Sequence, residues 1–332
     1  MIKFSIVIPA YNAGKTICRC LDSLKAQTYT DFEVIVVDDG SSDETVKVAE
    51  RYLTSLDLKI INAPHSGVSA ARNRGIDLSQ GDWVTFLDAD DALPNEALSE
   101  ISSTIRRYGI REVLRASICT VSRDGRTKKN HPFCDLPTKY GRHDYRELIA
   151  AILGCNRRLH HLNYVDMLGC SASMYCERSF LNKDKIRFNC DIAFMEDLIF
   201  ILSVLSRASE CLISPVCSYC YHVEDSVTTK SFTDSHLRSL VKVNDEVRLL
   251  TAGLSMKREC TRFTWGLIFL CVSLSAKTGQ SLDQLFSHPK FQILLRQAEE
   301  ASPRDMGGFT TGDWVKYAAV TLLGSKSAFL FR

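Results

Sequence analysis

The sequence has little net charge, no long apolar run and no glycine-rich nucleotide motif. Its 332 residues carry 41 Lys and Arg against 39 Asp and Glu, a net charge of +2, whereas nucleic-acid-binding proteins concentrate basic charge. No stretch reaches the ~18 apolar residues of a membrane-spanning helix. The apolar run at residues 4–8 is too short for a signal peptide, and no GxGxxG follows it. These absences argue against a nucleic-acid-binding protein, an integral membrane protein and a dinucleotide-binding fold.

The 13 cysteines form no disulfide framework, because their number is odd and their spacing is irregular. Free and mostly buried thiols are typical of proteins from a reducing compartment. The CxxC pair formed by Cys217 and Cys220 lacks the second ligand pair that a zinc site needs. Because the surrounding segment is predicted to be a strand, we expect these two thiols on opposite faces, which also argues against a metal site.

The first 90 residues alternate short apolar strands with helical stretches. Strands are predicted at residues 4–8, 33–38, 58–61 and 83–87, and one of the helices between them at residues 68–78. This alternation of strands and helices predicts an α/β fold with a mostly parallel central sheet and helices on both faces. In such sheets, ligands bind at the carboxyl ends of the strands.

The last hundred residues have a helical pattern and predict a C-terminal helical extension. The helices that we expect there span residues 235–250, 257–277, 282–298 and 312–323.

Three carboxylates, those of Asp88, Asp90 and Asp91, follow the strand predicted at residues 83–87. Such a cluster is costly to leave unpaired, since ionised carboxylates repel each other and resist burial. A hard divalent cation that also carries phosphate oxygens would offset this cost. The alternative is a polar turn in which Asp91 or Asn95 caps the next helix. The cluster by itself favours neither interpretation.

Three further residues near strand ends each have two interpretations. Tyr11 could stack on a nucleobase or cap the core. Asp39 could accept a hydrogen bond from a base or a ribose hydroxyl, or belong to a turn before a helix. Arg72 could reach a diphosphate or a base, or lie on a solvated helix face.

Glu196 and Asp197 begin a predicted apolar helix. Acidic side chains in this position stabilise the helix dipole, which is a sufficient structural reason for their presence. A carboxylate placed over the binding edge of the sheet could instead act as a general base.

Together and in this order, five segments resemble the family 2 inverting glycosyltransferases of the GT-A fold, especially bacterial polysaccharide enzymes. The likeness is dense over residues 4–95, looser over residues 165–230 and slight beyond Ser231. The matching runs are FSIVIPAYN, VVDDGSSD, GVSAARNRGI, FLDADD and MED, which begin at Phe4, Val36, Gly67, Phe86 and Met195.

The resemblance implies a nucleotide-binding role for residues at the first two strand ends and on the helix at 68–78. Pro9, Ala10, Tyr11 and Asp39 would hold the nucleobase and the ribose, with Arg72 nearby.

The resemblance also implies the reacting groups. Asp88 and Asp90 match the DxD motif of the family and would hold Mg²⁺ or Mn²⁺, with Asp88 also contacting the ribose or the sugar. Asp197 would be the catalytic base, and Glu196 beside it would support the acceptor.

The chain departs from the family pattern in two places. Residues 172–176 read ASMYC where many relatives have a GKLYR-like stretch, and Tyr221 is followed by His222 where relatives have Tyr-Arg. His222 could still contact the diphosphate or the metal, or it could be a core or surface histidine whose charge varies near neutral pH.

We therefore expect an inverting glycosyltransferase that moves a sugar from a nucleotide-diphospho donor, with UDP-sugars favoured, to a hydroxyl of a glycan or lipid-linked glycan. The alternatives are transfer to a polyprenyl phosphate, and a non-catalytic glycan- or nucleotide-binding protein with the same fold. The expected division is a nucleotide-sugar-binding half at residues 1–115, an acceptor-binding half at 116–230 and the helical extension at 231–332.

We expect a cytoplasmic protein with peripheral contact to the inner face of the cell membrane through its C-terminal helices. The segments at residues 263–277 and 314–332 mix apolar residues with Lys and Arg, as interfacial helices do. The alternative is that these helices pack on the main domain.

Overall fold

A computed structural model describes residues 2–122, 127–129, 134, 136–154, 170–222 and 232–299. The chain divides into two compact units. The first consists of Met1–Tyr145, Met167–Cys190 and Glu196–Glu224, and the second of Arg146–Asp166, Asp191–Met195 and Asp225–Arg332. The first unit contains the sheet. The division into three regions expected from the sequence stays a prediction.

One sheet contains all nine strands of the described residues. In chain order they are β1 Phe4–Ala10, β2 Phe32–Asp38, β3 Leu58–Asn62, β4 Trp83–Phe86, β5 Val113–Val121, β6 Thr127–Lys129, β7 Thr138–Gly141, β8 Met174–Glu177 and β9 Glu210–His222.

The strand order is β3-β2-β1-β4-β8-β5-β9-β7, and β6 pairs with β5. The first four of these strands are parallel neighbours. β8 is antiparallel to both β4 and β5, and β5 is parallel to β9. Six strands therefore run in one direction, which confirms the predicted mostly parallel α/β sheet.

Eleven α-helices occur in the described ranges. They are α1 Ile17–Lys25, α2 Thr45–Glu50, α3 Val68–Leu78, α4 Ala97–Tyr108, α5 Tyr145–Ile152, α6 Arg178–Lys183, α7 Glu196–Arg207, α8 Asp234–Thr251, α9 Lys257–Thr278, α10 Leu282–Ser287 and α11 Pro289–Glu299.

The helix predicted at residues 282–298 is two helices, α10 and α11. His288 between them is extended, with φ −69° and ψ 127°. The break follows from Pro289, because the proline ring disfavours the α conformation of the residue before it. The helix predicted at residues 312–323 lies outside the described residues.

α3 packs directly against β1. Both strand faces are covered, since every residue of β1 is buried, as is usual for a parallel strand. A Cβ atom built on Gly75 of α3 would lie 2.1 Å from Cγ1 of Val7. Glycine at this position therefore allows the close approach, and this approach places the helix that carries Arg72.

The second unit is helical in its described part. α9 contacts α8, α10 and α11, and most apolar side chains of the predicted interfacial segment at residues 263–277 are buried. This burial favours the interpretation of a packed helix for that segment. None of the described helices is both long and apolar enough to span a membrane. The second predicted interfacial segment, residues 314–332, lies outside the described part of the chain.

Glu33 on β2 is a buried carboxylate with a complete set of donors. Its Oε1 accepts hydrogen bonds from Ser5 Oγ at 2.6 Å and from the amides of Gln80 and Gly81 at 2.6 and 3.1 Å. Its Oε2 accepts from Lys59 Nζ at 2.9 Å. Burial acts to raise the pKa of Glu33, but the hydrogen bonds from Ser5, Lys59 and Gln80 outweigh it and lower the pKa.

We predict that Glu33→Gln lowers the free energy of unfolding by about 1–3 kcal/mol at pH 7, because the buried amide of Gly81, the part-buried amide of Gln80 and the ammonium of Lys59 lose a charged acceptor. The lowered pKa means that the carboxylate stabilises the fold above the unfolded-state pKa. This stabilisation is lost as the pH falls through the folded-state pKa. Urea denaturation at pH 7 and below pH 4 should therefore give a smaller difference at the acidic pH. Exposed Glu50 is the control, and an equal effect of Glu50→Gln would contradict the prediction.

Candidate active site

The carboxyl ends of β1, β2 and β4 meet at one edge of the sheet because these strands are parallel neighbours. Pro9 and Ala10 end β1 and are buried. The amide of Asp39 donates to the carbonyl of Ala10 at 2.8 Å, so the loops after β1 and β2 leave the edge together. This is the arrangement that the alternation of strands and helices predicts.

The loops after β1 and β2 are also joined by side chains. The Asn12 amide donates to Ser41 Oγ, the Ser42 amide donates to Asn12 Oδ1, and the Gly14 amide donates to Asp43 Oδ2, each over 2.9 Å. These bonds fix the backbone on either side of Asn12, which has a left-handed φ of 49°. Tyr11 therefore leaves a well-defined turn.

Tyr11 is half exposed and stacks on His65, with ring centroids 4.4 Å apart. Asp39 is buried below this pair. Its carboxylate oxygens accept from the amides of Ser66 and Gly67 at 2.7 and 2.9 Å, and Nδ1 of His65 lies 2.9 Å from Oδ2. The structure thus gives Tyr11 an exposed face that could contact a planar ligand, next to an anchored carboxylate.

Arg72 lies on α3 with a guanidinium that is 4% exposed and bonded to three carboxylates. NH2 donates to Asp88 Oδ1 at 3.0 Å. NH1 donates to Glu196 Oε1 at 3.1 Å and to Asp197 Oδ1 at 3.0 Å. The interpretation of Arg72 as a solvated surface residue is therefore wrong. The guanidinium instead joins the loop after β4 to the first turn of α7.

Three aromatic rings support the guanidinium. Its carbon lies 5.1 Å from the centroid of the Phe188 ring, within cation–π range. Phe188 stacks on Phe200 of α7 at 4.0 Å, and Phe86 of β4 meets both rings edge to face. This packing limits where Arg72 can point.

The carboxylates respond to burial and to each other. Burial acts to lower the pKa of Arg72, but the charges of Asp197, Asp88 and Glu196 overcome it and raise the pKa above its usual value. Arg72 is thus a permanent cation. Burial, and then the charge of Asp197, raise the pKa of Glu196 to about 7.

Asp91 is buried and does not cap a helix. Its Oδ2 accepts from the Tyr219 hydroxyl at 2.5 Å, and its Oδ1 accepts from the His222 amide at 2.7 Å. Since α4 begins only at Ala97, the proposed cap role of Asp91 is wrong. Burial, followed by the charge of Asp88, raises the pKa of Asp91 to about 8. Asp91 therefore attaches the loop after β4 to the end of β9.

His222 closes the same end of β9. Its ring Nδ1 lies 3.1 Å from the carbonyl oxygen of Cys220 and 4.0 Å from Oδ1 of Asp91. The structure thus brings His222 to Asp91 of the carboxylate cluster, and its contact with a diphosphate or a metal stays a prediction.

Asp90 is the exposed carboxylate of the cluster, and its backbone carbonyl accepts a hydrogen bond from the Arg19 guanidinium. Among the described residues, no group of three or more His, Cys, Asp or Glu is placed to hold a metal. Mg²⁺ is commonly bound by only one or two carboxylates together with substrate phosphates. The exposed Asp90, with Asp88 two residues earlier, fits that smaller donor set.

Sequence reasoning missed three contributors to this site: Tyr219, His65 and Arg19. Tyr219 comes from a strand 128 residues after Asp91, so no local pattern connects the two. His65 lies two residues before the start of the run GVSAARNRGI, and its place before a helix start was the available signal. Arg19 belongs to a helix whose amphipathic pattern explains it as a surface residue.

A family model and several known proteins match the part of the chain that forms this edge of the sheet. The family model described as Glycosyl transferase family 2 matches residues 5–157. The amylovoran biosynthesis glycosyltransferase AmsB of Erwinia amylovora is 41% identical over 138 residues, which are 40% of this chain and 46% of that protein. The succinoglycan biosynthesis protein ExoO of Rhizobium meliloti is 26% identical over 263 residues, 78% of this chain and 72% of that protein.

The first relatives are matched over only part of their length. The uncharacterized glycosyltransferase YibD of Escherichia coli is 42% identical over 90 residues, which are 27% of this chain and 26% of that protein. The chain thus matches about a quarter to a half of the first two curated relatives.

Solved structures agree on the fold. S. aureus TarS has a TM-score of 0.64 at 20% identity, with 98% of this chain and 54% of that chain covered. S. aureus TarS 1-349 in complex with UDP-GlcNAc has a TM-score of 0.61 at 18% identity, with 96% and 92% covered. The matched region and the shared architecture agree: residues 5–157 match glycosyl transferase family 2, and the chain has the GT-A fold of TarS.

Proposed function

We propose that the protein is an inverting glycosyltransferase that transfers a sugar from a nucleotide-diphospho donor, with UDP-sugars favoured, to a hydroxyl of a glycan acceptor. One observation carries this proposal: Arg72 holds Asp88, Glu196 and Asp197 together at the carboxyl edge of the sheet. Supporting comparisons are the family model and a structural neighbour solved in complex with UDP-GlcNAc. The relatives named for amylovoran and succinoglycan biosynthesis favour a polysaccharide acceptor.

Asp197 is the proposed general base. A base in this role takes the proton from the acceptor hydroxyl while its oxygen attacks the anomeric carbon. Arg72 donates to Oδ1 of Asp197 at 3.0 Å, and this hydrogen bond orients the carboxylate. Attack on the face opposite the leaving diphosphate is a single displacement and inverts the anomeric carbon.

Glu196 has a different task in the proposal. Because its pKa is raised to about 7, it carries a proton for part of the time at neutral pH and can then donate a hydrogen bond to an acceptor oxygen. A carboxyl group whose pKa is raised by its surroundings can donate a proton in a hydrogen bond near neutral pH.

Asp90 and Asp88 would hold a divalent cation, Mg²⁺ or Mn²⁺. When bound, such a cation neutralises the charge that develops on the departing diphosphate. Asp88 is fixed by Arg72 at 3.0 Å, and the Arg19 guanidinium holds the backbone of Asp90. The loop is therefore organised by contacts within the chain. The exposed face of Tyr11 would stack on the nucleobase, beside Asp39.

Two other assignments differ in their products. Transfer to a polyprenyl phosphate would use a phosphate oxygen, which needs no base, so Asp197 would matter little. A non-catalytic binding protein would bind a nucleotide sugar or glycan without releasing a nucleoside diphosphate. Arg72 orients the carboxylate of Asp197 as a base would need. This favours transfer to a hydroxyl over transfer to a polyprenyl phosphate and over a non-catalytic binding protein.

We predict that Asp197→Asn lowers kcat by about 10²–10⁴-fold, the usual contribution of a general base, with little change in the KM for the donor.

Asp90→Asn should raise the Mn²⁺ concentration required for half-maximal activity. Release of UDP from a panel of UDP-sugars, with and without Mn²⁺, measures both effects. Exposed Asp57 provides the control variant Asp57→Asn. Unchanged turnover in Asp197→Asn would contradict the base assignment.

We predict that Tyr219→Phe lowers kcat/KM by about tenfold, because it removes one hydrogen bond to a carboxylate. The Tyr219 hydroxyl lies 2.5 Å from Asp91 and 3.4 Å from Asp88, so its loss loosens the loop that carries Asp90. The same UDP-release assay, run as a Mn²⁺ titration, should show that a higher Mn²⁺ concentration is required for half-maximal activity. Tyr108→Phe at the end of α4 is the control. Equal kinetics in both variants would contradict this role.

Peripheral contact with the inner face of the cell membrane is a separate proposal, which rests on the sequence of residues 314–332. Each basic residue near an anionic surface contributes about 1 kcal/mol. We predict that the full chain floats with vesicles that contain anionic lipid. Replacing Lys316, Lys326 and Arg332 with Gln should weaken flotation at least tenfold. Equal flotation with neutral vesicles would contradict an electrostatic contact.

A further inference from the structure

Three cysteines of β5 and β9 lie on the same face of the sheet. The sequence predicts that Cys217 and Cys220 point to opposite faces, and this prediction is wrong. Ser117 and Ile118 of β5 pair with residues 217 and 219 of β9, so β9 contains an extra residue at this point. A bulge of this kind shifts the alternation by one, and both thiols consequently hydrogen-bond that of Cys119.

Cys119 and Cys220 are the closest pair of this cluster. They are directly opposite in the register of the two parallel strands, and their sulfurs are 2.9 Å apart. Paired strands run about 4.7–4.9 Å apart, and disulfides span Cα distances of 4.4–6.8 Å. The sulfurs need to approach by less than about 1 Å to reach the ~2.05 Å of a disulfide bond.

We propose that Cys119 and Cys220 form a site of reversible oxidative modification, where a hydroperoxide converts the two thiols into a cross-strand disulfide. Cys220 is partly exposed and Cys119 is buried, so oxidation starts at Cys220. This modification goes beyond the proposed transfer reaction and does not depend on it.

The chemistry is complete with two thiols and one hydroperoxide. The Cys220 thiolate attacks one peroxide oxygen, the O–O bond breaks, and a sulfenic acid forms as the other oxygen leaves and takes up a proton. The Cys119 sulfur then attacks the sulfenic sulfur, the S–S bond forms and water leaves. With hydrogen peroxide, two thiols and one peroxide give one disulfide and two waters.

The position of Cys220 connects this site to the carboxylate cluster. Its neighbour Tyr219 and the next residue but one, His222, both donate to the Asp91 carboxylate. The backbone of Cys220 also exchanges two hydrogen bonds with Ala92, at 2.8 and 3.2 Å. Drawing Cys220 toward Cys119 therefore pulls on the strand end that anchors the loop after β4. The expected loss of transferase turnover rests on the proposed function.

The test oxidises the full chain with hydrogen peroxide, digests it with trypsin without reductant and analyses the peptides by tandem mass spectrometry. The expected product joins the peptide of residues 116–123, which contains Cys119, to the peptide of residues 208–230 through Cys220. Dithiothreitol should release both peptides. The link should persist in Cys217→Ser and Cys18→Ser and be absent in Cys220→Ser, whose folding is checked by circular dichroism.

Oxidation confined to exposed Cys18 and Cys190, or a link from Cys119 to Cys217, would overturn the proposal. The wild-type digest alone decides this, even if Cys220→Ser fails to fold. UDP release by the linked protein should fall at least about tenfold and recover with dithiothreitol. Full turnover in completely linked protein would overturn the connection to the carboxylate cluster, and absence of turnover before oxidation would count against the proposed function only.

Discussion

The buried ion cluster around Arg72 is the interaction on which the site depends. A guanidinium that is 4% exposed can be kept inside a protein only if opposite charges and hydrogen bonds replace its water. Asp88, Glu196 and Asp197 meet this requirement, and the cation in turn offsets the repulsion among the three carboxylates. The same bonds join the loop after β4 to the start of α7. The chain thus brings together two acidic segments that are more than a hundred residues apart.

The second constraint is the attachment of β9 to the loop after β4. Tyr219 and His222 hold Asp91, and Ala92 pairs with the backbone of Cys220. Arg72 holds the same loop from the side of α3. A loop held at Asp88 and at Asp91 leaves Asp90 between two fixed points, with its side chain toward solvent. This gives a physical reason why three neighbouring carboxylates have three different environments.

Much of the first unit could be predicted from the sequence because its signals are local. Largely apolar runs of four to six residues predicted β1, β2 and β3, and the helix expected at residues 68–78 has the bounds of α3. The burial of Arg72 could not be predicted in this way, since the partners Glu196 and Asp197 are distant in sequence. The shared face of Cys217 and Cys220 depends on a bulge that only strand pairing reveals. The different environments of Asp88, Asp90 and Asp91 likewise could not be predicted, because they depend on the hydrogen bond from the distant Tyr219 to Asp91.

Because Gly75 has no side chain, the position of Arg72 depends on how closely α3 packs on β1. Gly75 lies one helical turn after Arg72, and its backbone rests on the side chain of Val7. α3 and β1 are in direct contact at this point, so the distance of the helix from β1 also determines how far the Arg72 guanidinium lies from the sheet. A larger side chain at Gly75 or Val7 would displace α3, and with it Arg72, without contacting a ligand. A defect in substrate turnover could thus originate in the packing of Gly75 against Val7, two residues that have no assigned contact with the substrate.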